Sequence, residues 1–416
     1  MRIIKTGLIL SLSNIASGFL AYLYQILMGR FLTPYEFGSL SAMMALIGFC
    51  SSPLGAIFMV VSRTTGILFA GDHKFQISHF YRKSIIFVAM IVAIGIGSAF
   101  MIRTPLMRLI KTDSLWFFLI ALISLFFVAL SVVSNGVMQG LQRFLAYGLS
   151  GFASILLKTF LSLIFIIFGY GLIGAISGYL VSSVIIFIWG FWFCKLELAK
   201  YSYGRPNFES TVNLKTALPV LLANIAFASM TQLDMVIVNW YFDSKEAGLY
   251  AAASVLGKAV LYLPGGLVLA MFPFVVDAHA KKESTIIMLR QVVLTTFFIC
   301  VAAAIIYFLF AEEIIIMLYG SSYLNAASVL KWYGFAMLPL ALTLIAENYL
   351  IAKGKTLFVW IFMAIAPFQI FAIHLWHADL MQIVIIMGVC GAALLMVGYS
   401  LLLKPYVGKI SQTLSG

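Results

Sequence analysis

The chain has 416 residues, of which 63% are hydrophobic and only 10% charged. Soluble domains carry about a quarter charged residues, so a water-soluble globule of this size would lack the polar side chains to cover its surface; the mean hydropathy of +1.09 agrees with an integral membrane protein. The basic excess, 26 Lys and Arg against 14 Asp and Glu, lies in short connections between apolar runs, which disfavours a nucleic-acid-binding face and reads as a topology signal.

A membrane-spanning helix needs about 20 mainly apolar residues. That window predicts twelve spans in chain order: 7–29, 37–62, 84–102, 115–134, 149–168, 172–194, 216–240, 248–273, 291–311, 332–351, 357–376 and 382–403. Arg2 and Lys5 precede the first, and no small-residue cleavage site follows it, so it is read as an uncleaved span. The connections are too short for a folded soluble domain. With the N-terminus inside, eighteen Lys and Arg fall in cytoplasmic positions, while Arg30, Arg103, Arg108, Lys111, Lys245 and Lys331 fall outside. That bias predicts both termini in the cytoplasm.

The first two spans resemble the seventh and eighth at an offset of 210 residues. Asn14-Ile15-Ala16 matches Asn224-Ile225-Ala226, and Glu36, Gly38, Ala42 and Leu46 fall on Glu246, Gly248, Ala252 and Leu256. After a one-residue slip, Pro53 and Gly55 meet Pro264 and Gly266. Six spans per half is an even number, so both halves enter from one side and the repeat is parallel. The expected architecture is all-α, with two six-helix lobes, residues 1–203 and 204–416, and a linker around Gly204, Arg205 and Pro206. A bundle of this kind places a substrate site between lobes that rock to give alternating access.

Gly29-Arg30-Phe31-Leu32-Thr33-Pro34-Tyr35-Glu36-Phe37-Gly38 resembles the turn after the first helix of bacterial polysaccharide flippases of the Wzx type. Asn135-Gly136-Val137-Met138-Gln139-Gly140-Leu141-Gln142-Arg143-Phe144 is similar to their loop after the fourth helix. Asp234 followed by Ala247-Gly248-Leu249-Tyr250-Ala251-Ala252-Ala253 is similar to their passage from the seventh helix to the eighth. Thr33 and Trp240 depart from the usual pattern. The resemblance implies a V-shaped, MATE-like bundle in the bacterial inner membrane. It also implies transfer of an undecaprenyl-pyrophosphate-linked oligosaccharide from the cytoplasmic to the outer leaflet, with a glycan polymerase and a chain-length regulator as partners.

Charges at membrane depth cost several kcal/mol unless they line water or find a partner. Lys158 lies roughly 15 Å along the fifth span, and Lys258 is at similar depth in the eighth. One lysine per lobe suits a cavity that neutralises pyrophosphate; pairing with a carboxylate is the alternative. Asp234 is about 9 Å deep, with Lys258 about 6 Å deeper on the neighbouring helix. The two are expected to form a structural ion pair, or Asp234 is a Na⁺ or H⁺ coupling site. Glu347, beside Asn348 and ahead of Lys353 and Lys355, is expected to form an interfacial salt bridge, with ion coupling as its second reading.

Arg30 is expected either to meet substrate in the outward state or to complete the first helix's dipole. Arg63 is expected to greet the headgroup or to serve only the positive-inside bias. Pro53, Pro264, Gly265 and Gly266 are expected hinges, because proline removes a backbone hydrogen bond and kinks a helix. Gly174 and Gly178 permit close helix approach.

Cys50, Cys194, Cys300 and Cys390 lack zinc or disulfide spacing. His374 and His377 lack a third ligand, and there is no phosphate-cradling Gly-rich loop. No catalytic residue, metal or cofactor is expected beyond a coupling Na⁺ or H⁺. The rival readings are an ion-coupled multidrug exporter, which would need an acidic cavity, and a membrane glycan polymerase or ligase, which would need long outer loops.

Overall fold

The computed structural model describes residues 2–71, 74–201, 214–267, 271, 274, 275, 278, 281, 285–353 and 357–414, with side chains between 13 and 402 other than 214–216. The expected linker around Gly204, Arg205 and Pro206 lies outside the described residues, as does Lys355. Among the described residues every regular element is helical. Nine segments are long and apolar enough to cross a membrane, ten when one bent pair counts as a single span. One of the nine, Phe144–Ala199, holds two helices. The expected twelve is consistent with this series.

Internal packing divides the chain into two compact units, Met1–Asn224 with Phe242–Gly248, and Ile225–Tyr241 with Leu249–Gly416. The first unit contains α1 (Arg2–Phe31), α2 (Pro34–Ser51), α3 (Leu54–Ala70), α4 (Gln76–Met101), α5 (Arg103–Leu109), α6 (Leu115–Gly140), α7 (Phe144–Phe165) and α8 (Gly171–Ala199). The long helices α9 (Leu214–Tyr241) and α10 (Ser244–Tyr262) begin in it.

Local chemistry sets these boundaries. The Thr33 hydroxyl accepts from the Glu36 amide at 3.3 Å, and the Glu36 carboxylate accepts from the Thr33 amide at 3.1 Å. With Pro34 in the first turn, this capping box starts α2, which explains why Thr stands at position 33. The repeat-equivalent start of α10 uses Asp243, whose carboxylate accepts from the Glu246 amide at 2.7 Å. Between α7 and α8 lies one turn of π-helix, Ile166–Tyr170, followed by Gly171. Gly169 and Gly171 take φ of +89° and +46°, a region that L side chains rarely enter.

α2 and α3 are bent by 41° at the break that holds Pro53. The second span was expected to end near residue 62, with Arg63 at its tip; α3 instead continues to Ala70. Packing explains the extension, since a Cβ on Gly140 of α6 would lie 2.5 Å from the Thr65 Cβ. α7 and α8 approach as closely. A Cβ on Gly178 would lie 2.2 Å from the Ser162 nitrogen, and one on Gly174 would lie 3.0 Å from the Phe165 carbonyl carbon. Small residues let the backbones meet there.

The second unit contains the remainder of α9 and α10, with α11 (Ile286–Tyr319), α12 (Ala326–Ala352), α13 (Leu357–Leu375) and α14 (Leu380–Leu414). α12 is its centre, packed against α11 and α14 and buried along most of its length. Small residues mark its contacts: Gly334 against Ala304 of α11, and Gly388 of α14 against Ala336.

Candidate functional site

In the second unit, Tyr250, Ser254 and Lys258 recur every four residues on α10 and so share one face. That face meets Asp234 of α9 and Tyr333 of α12. The Lys258 ammonium lies 3.0 Å from Asp234 Oδ1 and 2.9 Å from Oδ2. Tyr250 donates to Oδ2 at 2.8 Å and Tyr333 donates to it at 3.0 Å. Ser254 Oγ lies 3.1 Å from the Tyr333 hydroxyl.

The Asp234 side chain is fully buried, whereas Lys258 keeps 12% exposure. A buried carboxylate is tolerated only when its charge and lone pairs are met, and here an ammonium and two phenols meet them. Gly257 makes the arrangement possible, because a Cβ there would lie 2.2 Å from the Tyr333 ring.

In the first unit, Lys158 of α7 has quite different company. Its ammonium stands 3.9 Å from the Tyr24 ring centroid and 4.7 Å from that of Tyr179, with Met44 Sδ at 3.9 Å. Ion pairs among the described residues join Arg143 and Lys200 to Glu197, Lys258 to Asp234 and Lys331 to Glu312, among others. Lys158 is in none of them. Ring faces attract a cation by about 0.5–2 kcal/mol each, which offsets part of the several kcal/mol that burial costs an ion and leaves the positive charge uncancelled. The cage holds an ammonium that still favours an anion.

The other expected residues are placed individually. Arg30 is exposed in the last turn of α1, and Arg63 is exposed within α3. Glu347 is 5% exposed on α12. Of the two lysines that follow it, Lys353 does not pair with it, its ammonium lying over the Tyr349 ring at 4.5 Å, and Lys355 lies outside the described residues. Six residues carry Lys353 about 120° round the helix from Glu347, which turns the two side chains apart. Leu263 separates Pro264 from the end of α10, and neither Gly265 nor Gly266 has an atom within 4 Å of a built Cβ. His374 and His377 gather around Tyr241, whose hydroxyl bonds His374 Nδ1 and whose ring stacks on His377 at 3.8 Å.

Tyr24, Tyr179 and Met44 were not anticipated, and neither were Tyr250, Ser254 and Tyr333. Only the four-residue spacing that leads from Tyr250 through Ser254 to Lys258 carried a signal.

A family model described as polysaccharide biosynthesis protein matches residues 26–328. The chain belongs to that family. Its fold is shared by solved transporters. One is an inward-facing multidrug resistance MATE family transporter of the MOP superfamily, 13% identical at a TM-score of 0.78, with 94% of this chain and 95% of that one covered. A second is the lipid II flippase MurJ in an inward closed conformation, 16% identical at 0.69, covering 94% and 87%. A third is a MOP superfamily transporter from Pyrococcus furiosus, whose binding pocket is described as reversed in polarity; it is 15% identical at 0.66, covering 95% and 94%. No curated protein matches. This member of the polysaccharide biosynthesis family is a multi-pass membrane protein with a transporter fold, not an enzyme fold.

Proposed function

We propose that this protein flips an undecaprenyl-pyrophosphate-linked oligosaccharide from the cytoplasmic to the outer leaflet of the bacterial inner membrane, with both its termini in the cytoplasm. The observation that carries the reading is the Lys158 ammonium, held among Tyr24, Tyr179 and Met44 without a carboxylate partner. A pyrophosphate crossing a bilayer loses its hydration, and a fixed cation at depth lowers that cost. Arg30 and Arg63 would meet the headgroup at either end of its path. Lys258, already neutralised by Asp234, would contribute less.

An exporter of organic cations fits less well, since Lys158 would repel such cargo. Coupling to Na⁺ or H⁺ would act at the buried carboxyls Asp234 and Glu347. Glu347, without an ion-pair partner among the described residues, is the more accessible of the two to an added cation. Pro53 and Pro264, with Gly265 and Gly266, would serve as hinges, and a polymerase and chain-length regulator would consume the product.

The test is a strain lacking this protein, complemented by wild type or by Lys158→Gln, with lipid-linked oligosaccharide measured on each leaflet. Accumulation on the inner leaflet with the variant is the expected result. Normal flipping by Lys158→Gln, or altered drug sensitivity as the sole defect, overturns the reading.

A further inference from the structure

The first unit holds a cavity of about 480 Å³ whose lining includes none of the charged residues assigned to flipping. Its wall is formed at the bend of α2 and α3 by Cys50, Pro53 and Ile57, and by α4, α5 and α6. It runs from mid-span, at Ile57, Val88 and Ala129, to the end where α4 stops and α6 starts, at Ile102, Leu106 and Phe118. The surfaces that line it are almost wholly apolar. α4 faces outward along most of its length, and a Cβ on its Gly95 would have nothing within 4 Å. The cavity therefore communicates with the hydrocarbon of the bilayer.

Beside its far end runs α5, whose N-cap Ile102 and whose Leu106 line it. α5 has no buried residue, so it lies at the surface beside Leu106. It carries Arg103 and Arg108, which form no ion pair among the described residues; Arg103 is steadied over the Phe100 ring at 4.7 Å. An apolar slot whose end residues Ile102 and Leu106 are neighboured in sequence by two guanidinium groups without ion pairs is complementary to an amphiphile with an anionic head and a hydrocarbon tail.

Size narrows the choice of amphiphile. A cavity of about 480 Å³ is on the scale of sites that hold one small apolar ligand, which suits a single acyl chain.

We propose that this cavity binds one acyl chain of an anionic phospholipid from the leaflet on the Arg103 side, with its phosphate on Arg103 and Arg108. The proposal does not rest on the flipping reading, because none of the residues that line the cavity is among Tyr24, Met44 and Tyr179, which hold Lys158. A resident lipid there would brace the α2–α3 bend at Pro53.

The test uses the full chain reconstituted in phosphatidylcholine vesicles with phosphatidylglycerol carrying a diazirine at the end of one acyl chain. After illumination, adducts are mapped by mass spectrometry. Adducts on Ile57, Val88 and Leu125 are expected about tenfold above those on Phe298 and Ile306 of α11, a preference corresponding to the ordinary energy of one well-filled apolar site. Gly95→Leu, which fills the slot, is expected to remove the excess and leave α11 labelling unchanged. Arg103→Gln with Arg108→Gln is expected to erase the preference for phosphatidylglycerol over a matched phosphatidylcholine probe. Even labelling of cavity and α11 in the wild type overturns the proposal, without reference to whether any variant folds. Equal labelling by the two headgroups in the wild type overturns it too, and so does displacement by equimolar polyprenyl phosphate. Loss of flipping by Lys158→Gln bears on none of these readings.

Discussion

Gly248 approaches Pro34 so closely that a Cβ on the glycine would lie 2.0 Å from the Pro34 carbonyl oxygen. The relation is reciprocal: a Cβ on Gly38 would lie 2.9 Å from both the Ser244 carbonyl oxygen and the Gly248 amide nitrogen. The two glycines are the repeat-equivalent pair, and each lies in the early turns of a helix that begins with a polar cap. Backbone cannot retreat as a flexible side chain can, so a methyl group there forces the two turns apart.

Gly248→Ala is therefore expected to destabilise the protein by about 1–3 kcal/mol, the usual cost of overpacking. A thermal unfolding midpoint in detergent reads it. Gly18→Ala is the control: nothing lies within 4 Å of a Cβ there, and loss of a helical glycine is expected to leave stability unchanged or raise it by up to about 1 kcal/mol.

The caps that start α2 and α10 are separable from this contact. Thr33→Ala removes the hydroxyl that accepts from the Glu36 amide and is expected to cost about 1 kcal/mol. Thr33→Ser keeps the cap and is expected to match wild type in the same measurement.

The Asp234–Lys258 pair should respond as a buried pair does. Removing one partner, by Lys258→Met or Asp234→Asn, leaves a charge or its phenol donors unmet, and the loss of the lysine is expected to cost about 3–5 kcal/mol. The double substitution is expected to recover most of that loss. A double-mutant cycle on unfolding midpoints, run beside flipping assays, separates structure from transport. If Asp234 couples transport to a gradient, the double variant regains stability but not gradient dependence.

Lys158 predicts the opposite sign. Its ammonium is part-buried at membrane depth without a counter-charge, so Lys158→Met is expected to raise the unfolding midpoint while lowering the flipping rate at least about tenfold, the rate equivalent of one lost charge-assisted contact. A fall in both would mark Lys158 as structural. Lys158→Arg keeps the charge and is expected to retain part of the flipping rate.

Much of this architecture is legible in the sequence, because a span of about 20 apolar residues is a strong and local signal. The pairing of Asp234 with Lys258 follows from depth along two neighbouring antiparallel helices, which needs only the helical rise. Tyr333 was not legible because it comes from α12, distant in the chain, and tyrosines are common at membrane interfaces in any case. The cage of Lys158 was hidden for the same reason: Tyr24, Met44 and Tyr179 come from three different helices. For Glu347 the sequence offered only its chain neighbours, and helical periodicity turns one of them, Lys353, away. The seven residues of α5 are too few to give a period.

The rings around Lys158 have an electrical consequence. A cation balanced by quadrupoles keeps its full monopole, whereas the Lys258 cation is cancelled locally by Asp234. Moving one elementary charge through a membrane voltage is worth about 2.3 kcal/mol per 100 mV. On the proposed flipping reading, with the cell interior negative, that voltage would draw the unloaded lysine inward and, once a doubly charged pyrophosphate outweighed it, would drive the occupied assembly outward. Two opposite strokes would then be powered by the resting potential itself, and a potassium diffusion potential across proteoliposomes reads whether turnover follows its polarity.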